Sequence, residues 1–404
     1  MSLQDTAILL LLILAFGLIS RRISKTPISG PIIFVAFGWL FGGSVLGILE
    51  VNFSSGTVSL LAELALAMIL FTDASQIDLK EIWTLKNLPG RLLGLGLPLT
   101  IVLGIGAAAL IFPGLTLWEA ALIGVILAPT DAALGQAVVT NKIVPSRVRE
   151  ALNVESGTND GICVPVLAFC LAGAMAGSGA ASGGEGPGFL SGLATAIGFA
   201  VIAGAVVALA AKQVITVAVR ADWMTDSYRQ ITVFVIPLLA YTCADMLGGS
   251  GFIASFVAGV TMGASFKAIK GPDLRDFAEN AGQILTLITW VAFGSTFVSS
   301  ALSNFSVTVL LYALVSLTLV RMLPVALCLV GSGTKPDAVG FIGWFGPRGL
   351  ASIVFAVQVV KNPSITGGAT IAEVVAVTIV LSVLLHGMTA GPGARWLGGR
   401  YSED

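Results

Sequence analysis

Asn153-Val154-Glu155-Ser156-Gly157-Thr158-Asn159-Asp160-Gly161 is a polar run at the head of a stretch that is otherwise apolar as far as Ala176. Read as a helix, it carries Asp160 about 14 Å beyond Ala151 at the helical rise, near the middle of a hydrocarbon layer about 30 Å thick. An ionisable group at that depth is costly. It faces a cavity or a partner, and by default it marks an ion or proton path.

The chain around it is written for lipid. It has 404 residues, of which 56% are hydrophobic and 11% charged, and it contains 48 glycines. That composition excludes an ordinary soluble fold and predicts a single all-α polytopic membrane domain over residues 1–404. Small residues let membrane helices approach closely and break. Cys163, Cys170, Cys243 and Cys328 all lie in apolar segments without metal-ligand spacing. No zinc, haem, redox centre or other cofactor is therefore expected, and neither is enzymatic catalysis. Residues 1–6 lack Lys and Arg, whereas Arg21-Arg22 close the first apolar run. A secretory signal has the reverse order, so an uncleaved helix with its N-terminus outside is expected.

Apolar runs separated by polar joints give about thirteen candidate spans, at roughly 6–20, 28–49, 57–78, 91–112, 116–139, 150–177, 189–219, 229–247, 250–266, 276–300, 304–330, 338–360 and 370–395. Charge placement tests that count. Of the 21 basic residues, all but Arg321, Arg348 and Lys361 fall in joints on one side, including Lys25, Lys80, Lys86, Arg91, Lys267, Lys270, Arg395 and Arg400. So strong a bias places those joints and the C-terminus in the cytoplasm of a cell (inner) membrane protein. Trp39, Trp118, Trp290 and Trp396 fall near expected span ends and are read as interfacial anchors. The glycine-rich joint from Gly177 to Gly188 is read as a flexible outside linker between two halves. The chain stops soon after the last span, so no soluble regulatory domain is expected.

Two spans are interrupted at mid-depth. One contains Ala128-Pro129-Thr130-Asp131-Ala132, the other Gly346-Pro347-Arg348-Gly349. Proline removes a backbone donor and glycine loosens the helix, so both should partly unwind. They run in opposite directions at matching places in the two halves, an arrangement that points to a transporter site. Arg348, between two such ends, is placed to neutralise helix C-terminal dipoles.

Ser156 and Asp160 are four residues apart and share a helical face, with Glu155 and Asn159 on the adjacent stripe. Asp160, Ser156, Asp131 and Thr130 offer hard oxygen ligands that suit a small dehydrated alkali cation. Asp73 is placed deeper toward the cytoplasm, in the inner funnel. Each residue also has a structural reading. Glu155 is better read as an acid paired with an arginine, which cannot readily bind and release a cation. Asn159 is read as a helix-linking hydrogen-bond donor, and His386 as packing.

Ala128-Pro129-Thr130-Asp131, Glu155-Ser156 with Asn159-Asp160, Gly346-Pro347-Arg348-Gly349 and Leu384-Leu385-His386-Gly387-Met388-Thr389 together resemble the NhaP/NHE branch of the monovalent cation:proton antiporters. The resemblance covers essentially the whole chain. It implies a mobile core formed by about 91–177 and 304–395, dimerisation parts at about 6–78 and 229–300, a linking helix at 189–219, and a homodimer. It also implies Asp160 as the shared cation and proton acid, with Asp131, Thr130 and Ser156 beside it. Glu155 would be salt-bridged to Arg321 or Arg348, and sequence does not decide which. Two departures stand out: Ala132 replaces a proline common in relatives, and Gly157-Thr158 replaces two bulky apolar residues.

The expected activity is electroneutral exchange of Na⁺ or Li⁺ for H⁺ by alternating access. The expected partners are small cations, protons, the bilayer and a second copy, with no nucleic acid. The rivals are a K⁺/H⁺ exchanger or a non-transporting cation sensor of the same fold. An intramembrane aspartyl protease would need a Gly-x-Gly-Asp run, which this sequence lacks.

Overall fold

A computed structural model of the chain describes residues 2–23, 26, 28–77, 88–177, 187–266 and 274–401. Lys25, Lys80, Lys86, Lys267, Lys270 and residues 178–186 of the expected linker lie outside the described residues. Within them, every regular element is helical. In chain order these are α1 (Leu3–Ile23), α2 (Gly30–Phe41), α3 (Gly56–Ala74), α4 (Leu88–Ile111), α5 (Leu117–Ile126), α6 (Ala132–Val139) and α7 (Ser146–Gly177). They continue with α8 (Pro187–Arg220), α9 (Asp226–Met246), α10 (Gly251–Phe266), α11 (Asp276–Ser303), α12 (Val307–Cys328), α13 (Pro336–Trp344), α14 (Leu350–Val360) and α15 (Gly368–Tyr401).

Helix occupies some part of every expected span. Helical stretches in α1, α3, α4, α7, α8, α11, α12 and α15 are, by length and composition, able to cross a membrane. The second expected span is cut short. Helix α2 ends at Phe41, and the chain then folds back so that the Ile48 and Leu49 amides donate to the Phe41 carbonyl at 3.1 and 2.8 Å. Gly47, at φ +64, supplies the left-handed residue this reversal needs.

The chain divides into two compact units. The first comprises Met1–Leu60, Lys80–Asn159 and Leu287–Asp404. Its core includes Leu92, Val138, Leu152, Val325, Phe341, Ile342, Phe345 and Leu397, which join α4, α6, α7, α12, α13 and α15. The second comprises Leu61–Leu79 and Asp160–Thr286. There Tyr241 of α9 donates to Glu63 Oε2 of α3 at 3.0 Å and packs edge-on against Phe252.

Among the described residues, three helices contain a widened π turn, at Leu92–Gly96 in α4, Gly294–Val298 in α11 and Ser316–Val320 in α12. The last of these immediately precedes Arg321. Trp290 corrects the sequence reading. It is among the largest fully buried side chains and packs edge-on against Phe293, so it fills core rather than marking an interface. Trp39 and Trp396 are exposed and Trp118 is partly so.

Candidate functional site

The two interrupted spans are built in the same way. Thr116 and Glu119 form a capping box that starts α5: the Glu119 amide donates to Thr116 Oγ1 and the Thr116 amide to Glu119 Oε2, at 3.2 and 2.8 Å. Pro129 cannot supply the next helical N–H, so α5 stops at Ile126 and leaves its last carbonyls without helical partners. Asp131 restarts the chain as the N-cap of α6, accepting the Leu134 amide at Oδ1 at 3.1 Å. In the other span α13 stops at Trp344, ahead of Gly346-Pro347, and α14 restarts at Leu350.

The two breaks satisfy each other. Asp131 Oδ2 accepts the Leu350 amide at 2.9 Å, and the Asp131 amide donates to the Pro347 carbonyl at 2.7 Å. One carboxylate thus caps the N-terminal ends of both α6 and α14, where helix dipoles favour negative charge. At the opposite pole, Arg348 Nη1 donates to the carbonyls of Ala128 and Pro129, and the Ser352 hydroxyl donates to that of Ile126. Arg321 Nη2 reaches the Ile342 carbonyl near the end of α13 at 3.4 Å. Each half-helix C-terminus therefore meets a guanidinium, and both restarting N-termini meet Asp131. A Cβ on Gly349 would fall on the Asp131 carboxylate, and one on Gly346 would fall on the Arg321 guanidinium.

Arg321 also decides the pairing that sequence left open. It holds Glu155 through Nη1–Oε1 at 2.5 Å and Nη2–Oε2 at 2.8 Å, with both side chains buried. Such a two-point pair fixes geometry as well as charge. Arg348 takes a different role, among backbone carbonyls, with its own amide donating to Ser382 Oγ of α15 at 2.7 Å.

Thr130, in the first break, is tied to the polar stripe of α7. Its Oγ1 lies 2.9 Å from Ser156 Oγ and accepts from Asn159 Nδ2 at 2.8 Å. Asn159 Oδ1 and Thr158 Oγ1 are buried without a protein hydrogen-bond partner among the described residues. A buried carbonyl left in that state costs on the order of 1–3 kcal/mol, which a bound cation or water relieves.

Thr130, Asp131, Glu155, Ser156, Asn159, Arg321 and Arg348 thus converge within the first compact unit. Asp160 is the next residue of α7 and is buried, and Asp73 of α3 is half-buried; both are assigned to the second unit. His386 is buried, with Nδ1 within 3.0 Å of Ser382 Oγ and its ring beside Trp344 and Phe345. Ser352 and Ser382 are components the sequence reading missed. Their signal was a lone hydroxyl in an apolar helix, and such residues are too common to single out without the fold.

A family model described as sodium/hydrogen exchanger, transmembrane, matches residues 8–396. The chain is 27% identical over 398 residues to the K⁺/H⁺ antiporter NhaP of Alkalimonas amylolytica, covering 96% of this chain and 66% of that protein. It is 27% identical over 261 residues to the uncharacterized Na⁺/H⁺ exchanger YjcE of Escherichia coli, covering 64% of this chain and 45% of that one. The chain therefore spans no more than about two thirds of the length of these curated relatives. Its fold matches that of the sodium proton antiporter MjNhaP1 from Methanocaldococcus jannaschii with a TM-score of 0.76 at 22% identity, covering 99% of each chain.

Proposed function

The chain belongs to the sodium/hydrogen exchanger family, and from that premise we propose that it exchanges a monovalent cation for a proton across the cell membrane, with Asp160 as the carboxylate both ions share. The observation that carries this reading is how the other charges at the crossing are held. Glu155 is gripped at two points by Arg321, and Asp131 accepts the Leu134 and Leu350 amides. Arg348 is spent on the carbonyls of Ala128 and Pro129. Holding half-helix ends is a structural task, and we assign the exchange to Asp160, one helical turn beyond Ser156 along α7.

Asp131 is in this reading an organiser of the site rather than a direct ligand. Asn159 positions Thr130 through its amide and presents Oδ1 to the ion. Asp73 lines the route from the cytoplasm. A proton or a cation neutralises Asp160 and lets the loaded core move; the bare carboxylate is too costly to carry through the low-dielectric middle. That asymmetry couples the two fluxes. With Glu155 committed to Arg321, one acid discharges per cycle, giving electroneutral one-for-one exchange.

The cation is Na⁺ or Li⁺ in the first reading, because a compact site of hard oxygens suits a small ion. K⁺ is the second reading, favoured by the K⁺/H⁺ assignment carried by the Alkalimonas relative. The core and dimerisation parts, a homodimer, an N-terminus outside and a cytoplasmic C-terminus complete the proposal. Proteoliposomes test it: proton flux driven by Na⁺, Li⁺ or K⁺ gradients should appear in wild type and vanish in Asp160→Asn. Exchange that persists in the variant would remove Asp160 from this role. Dependence of the wild-type rate on membrane potential would overturn electroneutrality.

A further inference from the structure

Helix α13 and the C-terminal part of α15 enclose a groove of about 410 Å³, lined by Gly340, Phe341, Trp344, Phe345, Gly393 and Trp396 among others. That volume lies within the roughly 300–1,000 Å³ typical of small-ligand sites. Its wall is aromatic and aliphatic. The indole N–H of Trp344 is already used, donating to Thr389 Oγ1 at 2.9 Å. Nothing in such a wall selects a polar ligand, whereas a hydrocarbon chain fits it.

One end of the groove is charged. The Arg400 guanidinium sits 5.5 Å from the centroid of the groove-lining Trp396 ring and pairs with Asp337 at 2.9 Å, with more than half of the Arg400 side chain exposed. Lys335 lies over the neighbouring Tyr401 ring at 5.0 Å. The connection between α12 and α13, which delivers Lys335 to this end, also collects Arg91 on the carbonyls of Cys328 and Val330 and Arg147 on that of Ser332. Arg400 and Lys335 thus stand at one end of an apolar trough.

We propose that this groove binds an acyl chain of an anionic phospholipid, with the phosphate held at Arg400 and Lys335. The apolar wall takes the chain and the basic end selects the headgroup. Each basic residue near an anionic lipid surface favours binding by about fivefold. Trp344 ends α13 and Phe345 follows it into the break that carries Arg348, so the acyl chain also braces one half-helix of the crossing. The groove lies wholly within the first compact unit.

The test uses the full-length chain in phosphatidylcholine vesicles containing a minority of brominated phosphatidylglycerol or, separately, brominated phosphatidylcholine. The readout is the part of the tryptophan quenching that Trp396→Phe removes. It should be larger with the anionic lipid. Arg400→Gln should lower the apparent affinity for brominated phosphatidylglycerol about fivefold and leave the phosphatidylcholine signal in place. A Cβ on Gly340, which lines the groove, meets no other atom within 4 Å, so Gly340→Leu is placed to obstruct the groove and should abolish the signal from both lipids. Equal quenching by the two lipids in wild type, exclusion of both, or quenching unchanged in Gly340→Leu would overturn the proposal. The measurement needs no transport, so its outcome is independent of the exchange reading.

Discussion

Gly349 lies so close to Asp131 that a Cβ on the glycine would overlap the carboxylate. The contact exists because Oδ2 must reach the Leu350 amide, the first of α14, while Oδ1 caps α6. The smallest residue of one broken helix is thus required by the acid of the other. Gly349→Ala should push the two breaks apart and cost roughly 1–3 kcal/mol, the usual penalty for overpacking. Thermal unfolding of the purified chain in detergent checks this, with Gly391→Ala as a control, since a Cβ there meets no neighbour within 4 Å.

Asp131→Asn separates a capping role from a ligand role. The amide keeps one acceptor and turns a donor toward the other backbone N–H, so stability should fall by roughly 1–3 kcal/mol. Protein that remains folded should retain its apparent KM for the cation while its maximal rate drops. A large rise in KM with unchanged stability would instead make Asp131 a ligand.

The breaks themselves were legible in the sequence, because Pro129 and Gly346-Pro347 act on the backbone locally. The burial of Asp160 was legible for a similar reason: an acid in an apolar run is conspicuous whatever surrounds it. Asn159 was read as a donor, and its amide does donate to Thr130. The choice of Arg321 over Arg348 for Glu155 was not legible, since it depends on how α12 turns through the π segment before Arg321. The two-helix cap by Asp131 was hidden too, because its second amide lies 219 positions away along the chain. Trp290 misled for want of packing information, since a tryptophan toward a span end looks alike whether it faces lipid or core.

Breaking the Glu155–Arg321 pair from one side should be far worse than removing both partners. Glu155→Gln leaves a buried guanidinium without its counter-charge and should destabilise by about 3–5 kcal/mol. Glu155→Leu combined with Arg321→Met should recover much of that loss. Unfolding midpoints of Glu155→Leu, Arg321→Met and the double variant decide the point; additive losses would argue against a coupled pair.

Thr130 joins Ser156 and Asn159 through one oxygen. Thr130→Val keeps the shape and deletes that oxygen, leaving the Asn159 amide without its acceptor at a cost of about 1–3 kcal/mol. The apparent KM for the transported cation should rise in Thr130→Val and return toward wild type in Thr130→Ser. Rescue by serine would tie the effect to the hydroxyl rather than to side-chain volume.

If one carboxylate seats cation and proton in turn, the two ions must compete for it. In proteoliposomes, the apparent KM for the transported cation should climb toward tenfold for each unit of falling pH, with the maximal rate unchanged, because each proton bound removes one cation seat. A KM that holds steady across that range while the maximal rate changes would place the two ions on different groups and contradict the account.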